Sequence, residues 1–268
     1  MERLGNTRPS GLHTGNLRAW GMLFVIAGIV SRSVLQNQML DMGTRNMAEV
    51  LELMQSSESV MVIATIALVL QAIETVAVPI FVFLLAEGLQ HTSDFRKYVL
   101  RVAGLAVLTE IPFDLAMNQK VLEFGTQNPV FGLLLCMALW YLFQRFSGKK
   151  LICVVMALAG LAWALMLKIE HGIPAVLMFC VVYLFRNKKM FMGFSGMAAA
   201  ALCTGISPFY LAAPMGFLAT HFYNGEKGES SPLVNYLFYP VALLAIGLVV
   251  GIVAIIRVQK KYNGGVFS

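Results

Sequence analysis

The stretch SVMVIATIALVLQAIETVAVPIFVFLLA, residues 59–86, decides the fold class. Its 28 residues hold one charge, Glu74, and show no alternation of polar and apolar positions. A bilayer-spanning helix needs roughly 20 apolar residues, with about 17 to 25 tolerated. Inside hydrocarbon every backbone N–H and C=O must find an internal partner, so only helices and closed barrels cross it. Continuous apolarity without a period of two excludes the barrel. Outward from this stretch the same character recurs at 98–117, 129–145, 151–167, 173–185, 190–222 and 233–256. A weaker run at about 19–35 is interrupted by Ser31, Arg32 and Ser33. No small-residue cleavage site follows it, so it reads as a retained span.

Composition points the same way. The 268 residues are 58% hydrophobic and 13% charged, whereas a soluble domain carries about 25% charged residues. Too little polar surface remains to cover a globule in water. The expectation is an all-α polytopic transmembrane bundle, a single domain over residues 1–268. It has a polar tail at 1–16, a second at 258–268, and several helices broken by Pro or Gly.

Cationic clusters mark every second connection: Arg96 and Lys97, then Arg145, Lys149 and Lys150, then Arg186, Lys188 and Lys189. The rule that cytoplasmic loops collect Lys and Arg places these loops and the N-terminus in the cytoplasm. It also explains the net charge of +6 without nucleic acid. If Arg257, Lys260 and Lys261 are cytoplasmic too, the number of crossings is even. Residues 190–222, divided near Gly205 and Pro208, then make one net crossing and the total is eight spans. Two short crossings, and nine spans, are the alternative.

Ionisable residues inside these runs carry the functional information, because each is costly at a helix centre. Glu74 lies mid-run and Glu87 near the end of the same run. Glu110 and Asp114 share a helix face at four-residue spacing, with Pro112 between them bending the helix. They are candidates for a base or a substrate ligand; the alternative is that they cap a broken helix and pair with Arg96, Arg101 or Lys120. His91, one turn after Glu87, is the best-placed imidazole for proton transfer. His171 beside Glu170 and His221 read as interfacial residues. The four cysteines, Cys136, Cys153, Cys180 and Cys203, sit unpaired in apolar runs and read as packing residues, and no metal is expected. No P-loop, G-x-S-x-G, H-E-x-x-H or paired C-x-x-C motif is present.

The segment PIFVFLLAEGLQHTSDFRKYVLRVAGLAVLTEIPFDLAMNQ (79–119) resembles the central signature of the TraX family of bacterial membrane proteins. EHGIPAVLMFCVVYLFR (170–186), YNGEKG (223–228) and NYLFYPVALL (235–244) are similar to later family segments, in the same order. The resemblance implies an acyltransferase of the cytoplasmic (inner) membrane with both termini cytoplasmic. It would take acetyl from acetyl-CoA to a pilin-like or other envelope acceptor. It implies catalytic roles for Glu110, His91, Asp114 and Glu87. Binding roles would fall to Glu74, Glu170 and Tyr239, with Arg96 and Lys97 at the CoA phosphates. The chain departs from the family pattern at three places. Gly28 and Ile29 stand where the first helix usually carries an Asp-His pair, Thr75 where an Arg precedes the central Pro, and Ala242 where a His follows Phe-Tyr-Pro. A membrane scaffold without this chemistry, or a small transporter whose intramembrane acids bind its cargo, are the alternative functions. The missing inverted repeat counts against transport.

Overall fold

The computed structural model describes residues 11–41, 47–226, 228 and 231–264, and the regular structure among them is helical, with two isolated β-bridges. Arg3, Arg8 and Arg45 lie outside the described residues. Helix α1 spans Thr14–Ile29 and continues as a π-helix over Val30–Met39. The polar residues that weaken this run in the sequence all turn toward protein. Ser31 Oγ donates to the Ala67 carbonyl at 2.7 Å, Gln36 bonds Gln71 at 3.0 Å, and Asn37 donates to the Met117 carbonyl at 2.9 Å. The first span is therefore longer than the apolar run, because its polar second half is satisfied by its neighbours.

A short helix α2 (Met47–Ser56) leads into α3 (Glu58–Thr75) and α4 (Ala77–His91), one long rod broken at Val76. Pro79 lacks the N–H that would bond to the Thr75 carbonyl, so the ladder cannot run through. The Thr75 hydroxyl donates instead to Ala72 and across to the Phe209 carbonyl at 3.0 Å. Helix α5 (Phe95–Phe113) carries Pro112 in its last turn and passes into a π-helical turn at Asp114–Asn118.

Four shorter helices follow: α6 (Val130–Arg145), α7 (Lys150–Met166), α8 (Gly172–Phe185) and α9 (Lys189–Leu202). Two 3-10 turns, Cys203–Gly205 and Pro208–Leu211, lead to α10 (Pro214–His221). The long α11 (Pro232–Gly264) closes the bundle and takes in much of the 258–268 tail. Among the described residues three helices are long and apolar enough to cross a membrane: Thr14–Met39, Glu58–His91 and Val234–Val253. Val130–Arg145, Lys150–Met166 and Gly172–Phe185 are apolar but shorter. Ile80, Val176, Phe179 and Phe217 fill the centre, fully buried. Leu100, Leu151, Leu184 and Phe194 point outward, as a membrane protein requires.

The bundle has two distinguishable ends. At the basic end, the Leu12 region pairs with Tyr223 and Lys189 Nζ donates to the Tyr223 carbonyl at 2.7 Å. At the other end the loop before α6 pairs with the loop after α7, through Gln127 N–H to Lys168 O and Glu170 N–H to Gln127 O. These contacts revise the counting of spans. The Lys189–Tyr223 bond shows that the chain leaves along α9 and returns by α10, so 190–222 is an out-and-back pair. Helix α11 therefore starts at the basic end, where Tyr236 neighbours Arg18 and Tyr98. It passes Ala116 at Gly247 on its way to the far end. The charge argument gave one net crossing because it placed Arg257, Lys260 and Lys261 with the other cations; the helix carries their backbone to the opposite end of the bundle.

Candidate functional site: an ion cluster at the N-terminus of α8

The turn before α8 is strained. Lys168 (φ 50°) and His171 (φ 55°) both adopt left-handed backbone angles that non-glycine residues rarely take. The Gln127 pairing on both sides of Ile169 holds this turn in place. Its effect is to send Glu170 and His171 into the bundle, where they meet Arg32 from the first π-helix and Glu74 from the last turn of α3. Arg32 Nη2 lies 2.6 Å from Glu74 Oε1, and Nη1 contacts Glu170 Oε1. His171 Nε2 is 3.5 Å from Glu74 Oε1, and its Nδ1 is hydrogen-bonded to the Tyr210 hydroxyl at 2.5 Å. Tyr239 of α11 stands within electrostatic reach of Arg32 and Glu74.

Glu74 is held by a missing side chain. A Cβ at Gly28 would fall 2.0 Å from Glu74 Cδ and 2.3 Å from Oε2, so the carboxylate occupies the volume that residue 28 leaves empty. Thr75, next along the chain, anchors the 208–211 turn and with it Tyr210. Gly216 lets α10 approach the α3–α4 break, where a Cβ would sit 2.4 Å from the Val76 carbonyl.

The cluster is incompletely satisfied. Arg32 Nε, Glu74 Oε2 and His171 Nε2 are buried without a hydrogen-bond partner. A buried polar atom left so costs about 1–3 kcal/mol, more when charged, and such atoms mark sites where water, substrate or a reacting group completes the network. A crevice of about 230 Å³ reaches the cluster, lined by Gln71, Thr75, His171, Pro174, Ser207 and Tyr210.

The other sequence candidates fall in two places. Glu110 and Asp114 brace loops beside the cluster. Glu110 Oε2 accepts from Asn128 Nδ2 at 2.5 Å and from Asn128 N–H at 3.3 Å. Asp114 is fully buried and accepts from Asn118 Nδ2 and from the Glu123 N–H at 2.8 Å. These bonds fix the 118–128 loop that in turn pairs with Glu170. Glu87, His91, Arg96 and Lys97 lie at the basic end, and Glu87 is 13 residues along the α3–α4 rod, about 20 Å, from Glu74. There His91 Nδ1 bonds its own helix at the Glu87 carbonyl, 2.9 Å away, and Lys97 pairs with Asp94 at 3.2 Å. The structure thus gathers Glu74, Glu170 and Tyr239, and separates them from Glu87 and His91. Sequence reasoning passed over Arg32, taken as an interruption, and gave His171 and Tyr210 no role. Arg32 carried the same signal as Glu74, a charge inside an apolar run.

The model of one family, described as TraX protein, matches residues 51–250. The chain belongs to the TraX family. That match covers α3 to most of α11 and includes Glu74, Glu170, His171, Tyr210 and Tyr239; Arg32 and Gly28 precede it. No curated protein and no solved structure matches the chain. Among the described residues no group of three or more His, Cys, Asp or Glu side chains is placed to hold a metal ion.

Proposed function

We propose that this TraX family member is a membrane acyltransferase that moves acetyl from acetyl-CoA to an amine or hydroxyl of an envelope acceptor, with the chemistry at the Arg32–Glu74–Glu170–His171–Tyr210 cluster. The observation that carries the reading is the trio of buried, unpartnered atoms on Arg32, Glu74 and His171, the last of which lines an open crevice together with Tyr210. Acyl transfer needs a base near the acceptor and donors near the thioester oxygen.

The residues supply both. With Nδ1–H donated to the Tyr210 oxygen, His171 Nε2 carries the lone pair and takes the acceptor's proton as its nitrogen or oxygen attacks the thioester carbon. The new N–C or O–C bond forms, the C–S bond breaks, and the imidazolium returns its proton to the departing thiolate. Arg32 Nε is a donor for the carbonyl oxygen as it becomes negative. Glu74 and Glu170 neutralise and orient the guanidinium, so that it is fixed before substrate arrives.

Acetyl-CoA turnover by purified protein in lipid tests this. Wild type should consume acetyl-CoA, and His171→Gln should lower the rate about 10²- to 10⁴-fold, the range for a lost general base. Intact acetyl-CoA in the presence of well-folded wild type defeats the reading and leaves a scaffold or a small transporter.

A further inference from the structure

A second cavity, of about 310 Å³, lies at the basic end between α4, α8, α9 and the 223–225 turn. Pockets for small molecules begin at about 300 Å³, so this one accommodates a compact polar group. Its floor is Phe83 and Val182, and its polar wall is Arg186, Lys189, Glu87, Gln90 and Asn224.

Arg186 differs from the other cations of this end. Its guanidinium lies 4.2 Å from the Tyr183 ring centre and 5.6 Å from that of Trp140, and one Nη1–H is donated to the Tyr183 carbonyl at 2.9 Å. Among the described residues its remaining N–H groups have no protein partner. They form a rigid planar donor set, the geometry that matches phosphate oxygens. Lys189, exposed at the rim, gives one N–H to the Tyr223 carbonyl and keeps two. The acid in the wall, Glu87, sits beside the Tyr223 hydroxyl and 3.7 Å from His91 Nδ1. Two oriented cations against one acid leave a positive surplus in this partly open cavity.

We propose that this cavity is a binding site for a phosphate group, reached from the basic end of the bundle. Two sources share that chemistry: the phosphates of a soluble nucleotide such as CoA, and the head group of an anionic phospholipid. The assignment stands apart from acyl transfer, since it concerns the other end of α8 and its own residues.

The test uses full-length protein in neutral maltoside micelles. Adenosine 3′,5′-bisphosphate and CoA are titrated by calorimetry, and retention of phosphatidylglycerol is read by native mass spectrometry. Wild type should bind at least one of these probes. Arg186→Gln with Lys189→Gln should weaken that binding about tenfold or more, as expected for lost charge-assisted hydrogen bonds. Lys149→Gln with Lys150→Gln, which removes two cations from the same end, should change it less than about twofold. If the first pair fails to fold, the exposed Lys189→Gln alone should still weaken binding. Nucleotide binding identifies a soluble ligand and phosphatidylglycerol binding identifies a lipid. Absence of both in wild type, or an equal loss with the Lys149–Lys150 pair, overturns the assignment.

Discussion

Among the described residues two glutamate–histidine pairs stand out, and they teach different things. Glu87 and His91 are one turn apart on α4, at the spacing a sequence reader trusts, yet His91 is 63% exposed and Glu87 24%. Such a pair is solvated, and pairs of this kind contribute a few tenths of a kcal/mol at most. Glu74 and His171 come from helices far apart in the chain and are 8% and 19% exposed. They are held by Arg32, Glu170, Tyr210 and the gap at Gly28. A pair fixed by the fold, with its alternatives removed, can be poised for chemistry; a pair fixed only by helical periodicity cannot.

The largest expected difference between the two pairs is catalytic. Glu74→Gln should reduce acetyl transfer at least 10²-fold, by uncoupling Arg32 and His171. His91→Gln should leave it within about twofold, since only a solvated helix contact is lost. Equal effects in a turnover assay would erase the distinction. Next comes stability. Removing one partner of a buried ion pair costs on the order of 3–5 kcal/mol, so Glu74→Ala should unfold well before wild type in a detergent melt. Gly28→Ala forces a methyl into the Glu74 carboxylate, and such overpacking costs about 1–3 kcal/mol; its melt should fall between those of Glu74→Ala and wild type.

A smaller effect separates bracing from chemistry. Glu110→Gln keeps an acceptor for Asn128, so the charge alone is lost, and turnover should stay within about fivefold of wild type, a change of roughly 1 kcal/mol. A loss as large as that of His171→Gln would move Glu110 into the reaction. The smallest effect belongs to the basic end. The Lys97 N–H and ammonium hold the Asp94 carboxyl below its usual range. Because the folded value is the lower one, this cap stabilises α5 fully above the unfolded value, about 3.9. The contribution is lost as pH falls through the lowered folded value. Amide exchange in the first turn of α5 should rise on acidification, and Asp94→Asn should show less of that rise.

Much of the fold was legible because apolar runs map directly onto helices in a membrane. The break at Val76 was not read, although Pro79 announces it, because composition gives no weight to one missing N–H. Glu74 was legible as an acid where acids are costly, and Glu170 only through the family resemblance. Arg32 was present in the same signal but was read as weakness in a span, since nothing in a single helix shows that its charge is matched by two acids from elsewhere. His171 depends on a left-handed turn, and Tyr210 on a chain that doubles back at 203–213; neither leaves a local pattern.

The short helices have a consequence for the lipid around them. Helices α8 and α9, of 14 residues each, are about 21 Å long, while the 34-residue α3–α4 rod is about 50 Å. A typical hydrocarbon core is about 30 Å thick. A bilayer of that thickness would have to thin along the exposed flank of α9, formed by Met190, Phe191, Phe194 and Leu202, and stand taller beside α3, giving a stepped lipid collar. The ion cluster, joined through Tyr210 to the turn that follows α9, sits beside that thinner flank, where head groups and water would come closest to it.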